Sequence, residues 1–175
     1  IGIHNRSHYE NVLVCKVHPE YIMSENIPGY SDVKKIDRKF WKNRYENIRN
    51  FEKQLTDNGT IIIKFFLHVS KEEQKQRFLD RIEDPAKNWK FAAGDLKERA
   101  LWTKYMEAYQ DAIRETATEN APWYVIPADK KWYARLAISQ IIAETLAELK
   151  LKFPVLPKKE AEQLAACKQQ LLDEK

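Results

Sequence analysis

The sequence predicts an α/β protein in which helices layer against a mostly parallel β-sheet. The first sign is an alternation of period along the chain. Short apolar runs and longer segments with a three-to-four-residue repeat follow one another as strand, helix, strand, helix, helix, strand, helix. The second sign is the run "TIIIKFFLHVS" at residues 60–70, apolar almost throughout and rich in β-branched and aromatic residues. Such a run suits a strand covered on both faces of a parallel sheet.

The elements follow in order. Residues 1–4 and 11–17 read as strands or strand edges, and residues 18–36, with Pro19, Pro28 and Gly29, as loop. From Asp37 a helical period sets in, placing Trp41, Arg44, Tyr45, Ile48, Phe51, Glu52 and Leu55 on one face until Asn58-Gly59 stops it. After the apolar strand, Ser70 caps a helix and Glu73 completes a capping box. That helix carries Arg77 and Arg81 four residues apart, so both guanidinium groups leave the same face.

The segment "EDPAKNWKFAAGD" interrupts it, and Asp95 with Glu98 marks a second capped start. One long helix is then expected, with Trp102, Tyr105, Met106, Tyr109, Ala112 and Ile113 on a stripe. "TENAP" ends it, "WYVIPAD" reads as a strand, and residues 131–150 read as an amphipathic helix through Trp132, Leu136, Ile141, Ile142, Leu146 and Leu149. Beyond Phe153-Pro154-Val155-Leu156-Pro157 a charged tail is expected to be helical over about residues 159–172. A sheet of three strands would leave long apolar edges exposed, so further strands are expected to complete it.

Composition bounds the function. The 175 residues, 43% hydrophobic and 32% charged, suit one globular domain with its own core. No apolar run approaches the roughly 18 residues of a membrane span, and the front shows no charged segment followed by an apolar one, so neither a membrane anchor nor a signal peptide is expected. The two cysteines, Cys15 and Cys167, have no metal-type spacing and suggest a reduced, cytoplasmic setting. A net charge of +4 from 30 bases and 26 acids is only mildly basic, and no nucleic-acid partner is expected. Glycine occurs only at Gly2, Gly29, Gly59 and Gly94, and none begins a G-x-x-x-x-G-K-[ST] loop or a G-x-G-x-x-G turn.

Three stretches nevertheless point to one chemistry. "NRSHYE" near the front, "RIEDPAKNWKFAAGDLKERALWTKY" and "APWYVIPADKKWYAR" together closely resemble the polyphosphate kinase 2 family, in the family's order and over about residues 1–157. The N-R-S-H-Y-E form is most similar to the branch associated with phosphorylation of AMP and ADP from polyphosphate. The resemblance implies a P-loop kinase-like three-layer sandwich with a parallel sheet and a helical lid at about residues 77–100. Residues 158–175 form a tail outside the catalytic domain. In the family the N-R-S-H-Y-E segment follows the Walker B strand, and a Walker A loop lies upstream. The resemblance therefore implies a C-terminal portion of such an enzyme, with the N-terminal strand and P-loop missing, inactive alone.

Phosphoryl transfer needs cations around a phosphate whose charge spreads in the transition state, and an oxygen ligand for Mg²⁺. Arg6 suits bidentate phosphate contact, against the alternative of a structural ion pair. Asn5 stands where other branches of the family carry Asp, and Tyr9 packs or hydrogen-bonds beside Arg6. Glu10 is the nearest carboxylate and the expected Mg²⁺ ligand, with a solvated turn acid as the alternative. Asn11 replaces an Asp usual in this branch. His4 and His8 suit packing or surface roles better than zinc.

Arg77, Arg81, Lys87 and Lys90 flank the segment matching the lid. Two arginines on one face could contact donor and acceptor phosphates, although Asp80, Glu83 and Asp84 interleave with them. Arg99 sits just inside a helix start, where anions are also favoured. Asp129 and Lys130 match the family's nucleotide-side loop. The expected partners are inorganic polyphosphate and a nucleotide, with a homo-oligomer as the assembly. The alternatives are an ATP-dependent nucleotide kinase of the same fold and a non-catalytic polyanion-binding module.

Overall fold

The structure, a computed structural model, describes residues 1–174. Residues 1–7 form no regular element, and a 3-10 turn, His8–Val12, leads into the short helix α1, Val14–Val17. The strands expected at 1–4 and 11–17 therefore do not form. Val12, Leu13 and Val17 are buried in the main core, and the four-residue step from Leu13 to Val17 is helical. A dense apolar run this short carries no period that tells strand from helix. Residues 18–36 hold two further 3-10 turns, Pro19–Glu25 and Val33–Lys35.

Helix α2 spans Arg38–Asp57 and starts where the Asp37 carboxylate accepts from the Phe40 amide at 2.9 Å. It buries Phe40, Tyr45, Ile48 and Glu52. It stops where Gly59 takes φ +84°, a left-handed conformation natural to glycine, so that the Gly59 and Thr60 amides reach back to the Thr56 and Leu55 carbonyls.

Strand β1, Lys64–His68, pairs in parallel with β2, Trp123–Pro127, Lys64 opposite Trp123 and His68 opposite Pro127. Between them run α3, Lys71–Glu83, α4, Gly94–Ala100, and α5, Trp102–Thr116. The single long helix expected from Asp95 onward is thus two, parted at Leu101. Among the described residues the sheet is two strands wide, and Leu67 and Val125 are half exposed. Their exposure leaves one face of β1 open among the described residues, against the expectation of cover on both faces. One face of β1 is covered by α5, where Phe66 stacks on Tyr109 at 4.3 Å.

The main core gathers Tyr9, Val12, Leu13 and Val17 from the front of the chain, Tyr45 and Ile48 from α2, and Ala108 and Ala112 from α5. The two alanines let α5 approach closely. Residues up to Leu136 form one compact unit and a second begins at Ala137. Helix α6, Lys131–Glu148, starts in the first, and α7, Lys158–Asp173, lies in the second. Apolar residues are spread around α6 instead of forming the expected stripe. Among the described residues no helix is long and apolar enough to cross a membrane.

Candidate functional site

The polar cluster at the front rides on the turn His8–Val12. Ser7 caps it by accepting from the Tyr9 amide at 3.3 Å. Asn5 and Arg6 are exposed, and the Arg6 Nε donates to Glu10 Oε1 at 2.5 Å. The pair leaves most of the Arg6 guanidinium facing solvent. Glu10 Oε2 has no hydrogen bond among the described residues.

Tyr9 points the other way. Its ring is buried, and its hydroxyl donates to Glu52 Oε1 at 2.7 Å while accepting from the Lys64 ammonium at 3.0 Å. The hydroxyl is thus taken up by Glu52 and Lys64 inside the fold and not directed at Arg6. Lys64 also donates to Glu52 Oε2 at 2.6 Å and to the Thr116 carbonyl at 3.0 Å. Thr116 Oγ1 in turn accepts from the Trp123 indole at 2.9 Å. His8 approaches the same carboxylate at 3.5 Å. Both charges of the pair are buried, Glu52 at 2% and Lys64 at 7% exposure.

Burial pushes the Glu52 carboxyl up, but the hydrogen bonds from His8, Lys64 and Tyr9 outweigh it and hold it below its ordinary value. Burial lowers Lys64 against the opposing pull of Glu52, and burial, with Glu52 adding to it, raises Tyr9. The sequence carried a signal for this network. Lys64 interrupts an apolar strand, and Glu52 falls on the apolar face of α2.

A second feature lies beyond the end of β1. A groove of about 450 Å³ is walled by α3, α4 and α5, and Phe66 and Leu67 line it from β1. Arg77 and Arg81 enter from α3 and Arg99 from α4, with Trp102, Tyr105 and Tyr109 as an aromatic wall. Three of the expected phosphate-binding residues thus share one groove. Lys87 and Lys90 do not line it: Lys87 pairs with Asp84 at 2.5 Å, and the Lys90 ammonium lies 5.0 Å from the centre of the Trp89 ring.

The arginines are held differently. Arg77 donates to Glu73 at 2.8 Å and to the carbonyls of Ala128 and Asp129 at 2.7 and 3.1 Å. Arg99 donates to the Lys71 carbonyl and to Gln74 Oε1, each at 2.8 Å. Arg81 only stacks near Phe78, 5.8 Å from the ring centre, and is the least committed of the three.

The capping box at Ser70 is only half made. Ser70 Oγ accepts from the Glu73 amide at 3.1 Å, but Glu73 turns to Arg77, and the Ser70 amide instead donates to Asp129 Oδ1 at 2.7 Å. That backbone bond is the chief reason the Asp129 carboxyl sits below its ordinary range. Asp129 therefore staples the loops after the two strands, and Lys130 beside it is exposed.

One acid of the groove is tethered from outside. Glu98 accepts from Tyr105 at 2.6 Å and from the His18 ring at 2.9 Å, and His18 also meets Glu20 at 3.3 Å. The hydrogen bond to Glu98, reinforced by Glu20, raises His18 above its ordinary 6.5. A raised base contributes stability that is complete below 6.5 and is lost as pH climbs through the higher, folded midpoint. An NMR titration of the His18 ring should therefore show a midpoint above 6.5 that falls back in Glu98→Gln. An unshifted midpoint in the unsubstituted protein would mean that the tether does not form.

The family model of polyphosphate kinase 2 matches residues 1–154. The chain belongs to the polyphosphate kinase 2 family. It is 50% identical over 172 residues to the ADP-polyphosphate phosphotransferase of Rhodopseudomonas palustris, covering 98% of this chain and 58% of that protein. It is 50% identical over 152 residues to the AMP/ADP-polyphosphate phosphotransferase of Meiothermus ruber, covering 87% of this chain and 51% of that one. The crystal structure of polyphosphate kinase 2 from Arthrobacter aurescens TC1 superposes with a TM-score of 0.77 at 41% identity, over 93% of this chain and 53% of that one. The chain thus spans a little over half the length of these curated relatives. Its fold is the P-loop kinase-like α/β arrangement of polyphosphate kinase 2 structures.

Proposed function

We propose that the protein takes part in transferring phosphoryl groups between inorganic polyphosphate and AMP or ADP, directly and in line, without a covalent enzyme intermediate. The observation that carries this reading is the convergence of Arg77, Arg81 and Arg99 from two helices on one aromatic-walled groove beyond the end of β1. Guanidinium forks match phosphate oxygens in pairs, and several spaced along a groove suit a chain of phosphates better than a single one. The aromatic wall offers a stacking surface for a base. Arg6, exposed on its turn, serves as a further phosphate contact, with Asn5 orienting a phosphate or water. Lys87 and Lys90, exposed on the segment after α3, are further candidate phosphate contacts, and Asp129 with the exposed Lys130 is the candidate nucleotide-side loop.

Mg²⁺ is bound in such sites by one or two carboxylates with waters and substrate phosphates. Glu10 fits that sparse protein share, because one of its oxygens is free of protein partners among the described residues. When bound, the ion would neutralise charge on the transferring group. Position and electrostatics are what the protein's own residues supply. A cytoplasmic setting, with both cysteines free, and a homo-oligomeric assembly complete the proposal.

The test is to give the intact gene product AMP or ADP with either polyphosphate or ATP as donor and to follow the nucleotide products. Polyphosphate-dependent product is expected. Turnover with ATP alone would favour the nucleotide kinase reading, and polyphosphate binding without turnover would favour a polyanion-binding module.

The two lid arginines should separate in the same preparation. Arg81→Gln is expected to weaken polyphosphate binding and flatten its salt dependence while leaving the melting temperature unchanged. Arg77→Gln should also destabilise the fold by about 1.5–3 kcal/mol, since it loses charged hydrogen bonds to two carbonyls. Unaltered affinity and salt slope in Arg81→Gln would make that residue part of a solvated stripe, where ion pairs are worth only about 0–1 kcal/mol.

A further inference from the structure

We propose that the buried Glu52–Lys64 pair, acting through the Tyr9 hydroxyl, is a positioning device that fixes the turn bearing Arg6 and Glu10 for phosphoryl transfer. This rests on the function proposed above. The turn is packed through Val12 and the Tyr9 ring and is held by Arg44, which donates to the Asn11 carbonyl at 3.1 Å, whereas the Arg6–Glu10 pair is local and exposed. Beside the 3.5 Å approach of His8 to Glu52, the Tyr9 hydroxyl links the turn to the buried pair, joining at 2.7 and 3.0 Å two charged groups from different elements, α2 and β1. Lys64 in turn grips the Thr116 carbonyl at the end of α5, the helix that lines the arginine groove. One ammonium thus ties together the front turn, the first strand, and a wall of the groove.

Fold stability alone does not account for this arrangement. A buried ion pair can be replaced by apolar residues of similar volume with little loss, and often with a gain. What an apolar pair cannot reproduce is a directed hydrogen bond to the Tyr9 hydroxyl, which sets where the turn sits. Misplacement of reacting groups by about 1 Å can lower rates about a hundredfold.

The deciding variant is the apolar pair Glu52→Leu with Lys64→Met in the intact gene product. It is expected to melt near the unsubstituted protein, yet to lose about ten- to a hundredfold in kcat, with KM for polyphosphate and nucleotide nearly unchanged. Adding Tyr9→Phe should cause no further loss, because the hydroxyl's partners are already gone. Retention of kcat within about twofold would make the pair purely structural and overturn the proposal.

If the apolar pair does not fold, Tyr9→Phe alone decides, since it keeps the ring packed in the core. A fall in kcat at constant KM supports the device, and unchanged kcat overturns it. If the unsubstituted protein shows no polyphosphate-dependent turnover, the proposed function fails instead. Amide exchange then reads the coupling directly. Faster exchange over residues 8–12 in Tyr9→Phe, with α2 unaltered, upholds it, and identical exchange overturns it.

Discussion

Lys64→Met alone should destabilise the fold by about 3–5 kcal/mol. The substitution leaves the Glu52 carboxylate, 2% exposed, without its cation. Among the described residues only His8, at 3.5 Å, remains as a basic partner. At the size of this chain the melting temperature should fall by on the order of 10 °C. The pH dependence carries the sign of the mechanism. In the unsubstituted protein Glu52 is held below its ordinary 4.5, so its contribution is present above 4.5 and lost as pH falls through the lower folded value.

In Lys64→Met burial acts without the lysine to oppose it, and the carboxyl moves up. The penalty then vanishes at low pH and grows as pH rises past 4.5. Thermal melts between acid and neutral pH should therefore show the gap between variant and parent narrowing toward acid. A loss under about 1 kcal/mol, with parallel pH profiles, would mean that the lysine is not desolvated as described.

Arg6→Ala in the intact gene product should behave in the opposite way, with a large effect on rate and almost none on the fold. The side chain is 78% exposed and its one ionic partner among the described residues is Glu10, so the melting temperature should move by no more than about a degree or two, as for surface substitutions. If the guanidinium meets a phosphate in the closed site, its loss removes on the order of 2–4 kcal/mol of transition-state stabilisation, by analogy with oxyanion donors. That corresponds to roughly a thirty- to a thousandfold drop in kcat/KM. Steady-state kinetics beside a melt distinguish the cases. A drop of about tenfold or less, or unfolding, would assign Arg6 a structural role.

The long-period elements were legible because their apolar residues repeat often enough to define a face. The α2 stripe through Tyr45, Ile48 and Glu52 and the start at Asp37 are examples. The front was not legible. Val12, Leu13, Cys15 and Val17 crowd into six residues, and such a run fits a strand or a helix equally well. The break at Leu101 was missed because Glu98, Leu101 and Tyr105 continue a helical spacing across it.

At the site, charge identified Arg77, Arg81 and Arg99 but could not say how each is held. Beside the side-chain partners Glu73 and Gln74, Arg77 and Arg99 are held by backbone carbonyls of Lys71, Ala128 and Asp129, and carbonyls leave no trace in residue identity. Tyr9 was read as a neighbour of Arg6 because the two are close in sequence. Its true partners lie 43 and 55 positions away.

The lysine inside β1 also has a meaning during synthesis. Its carbonyl partner on Thr116 is made 52 residues later, and β2 later still. At about 5–20 residues per second, the β1 segment is out for some seconds before its partner strand exists. An unbroken "IIIFF" run in that interval would be an exposed, pairing-prone edge of the kind that seeds aggregates. An ammonium in its middle keeps the segment wetted until α5 delivers the acceptor that lets it go dry. On the nascent chain the same residue that joins the finished interior would act as a gatekeeper against premature pairing.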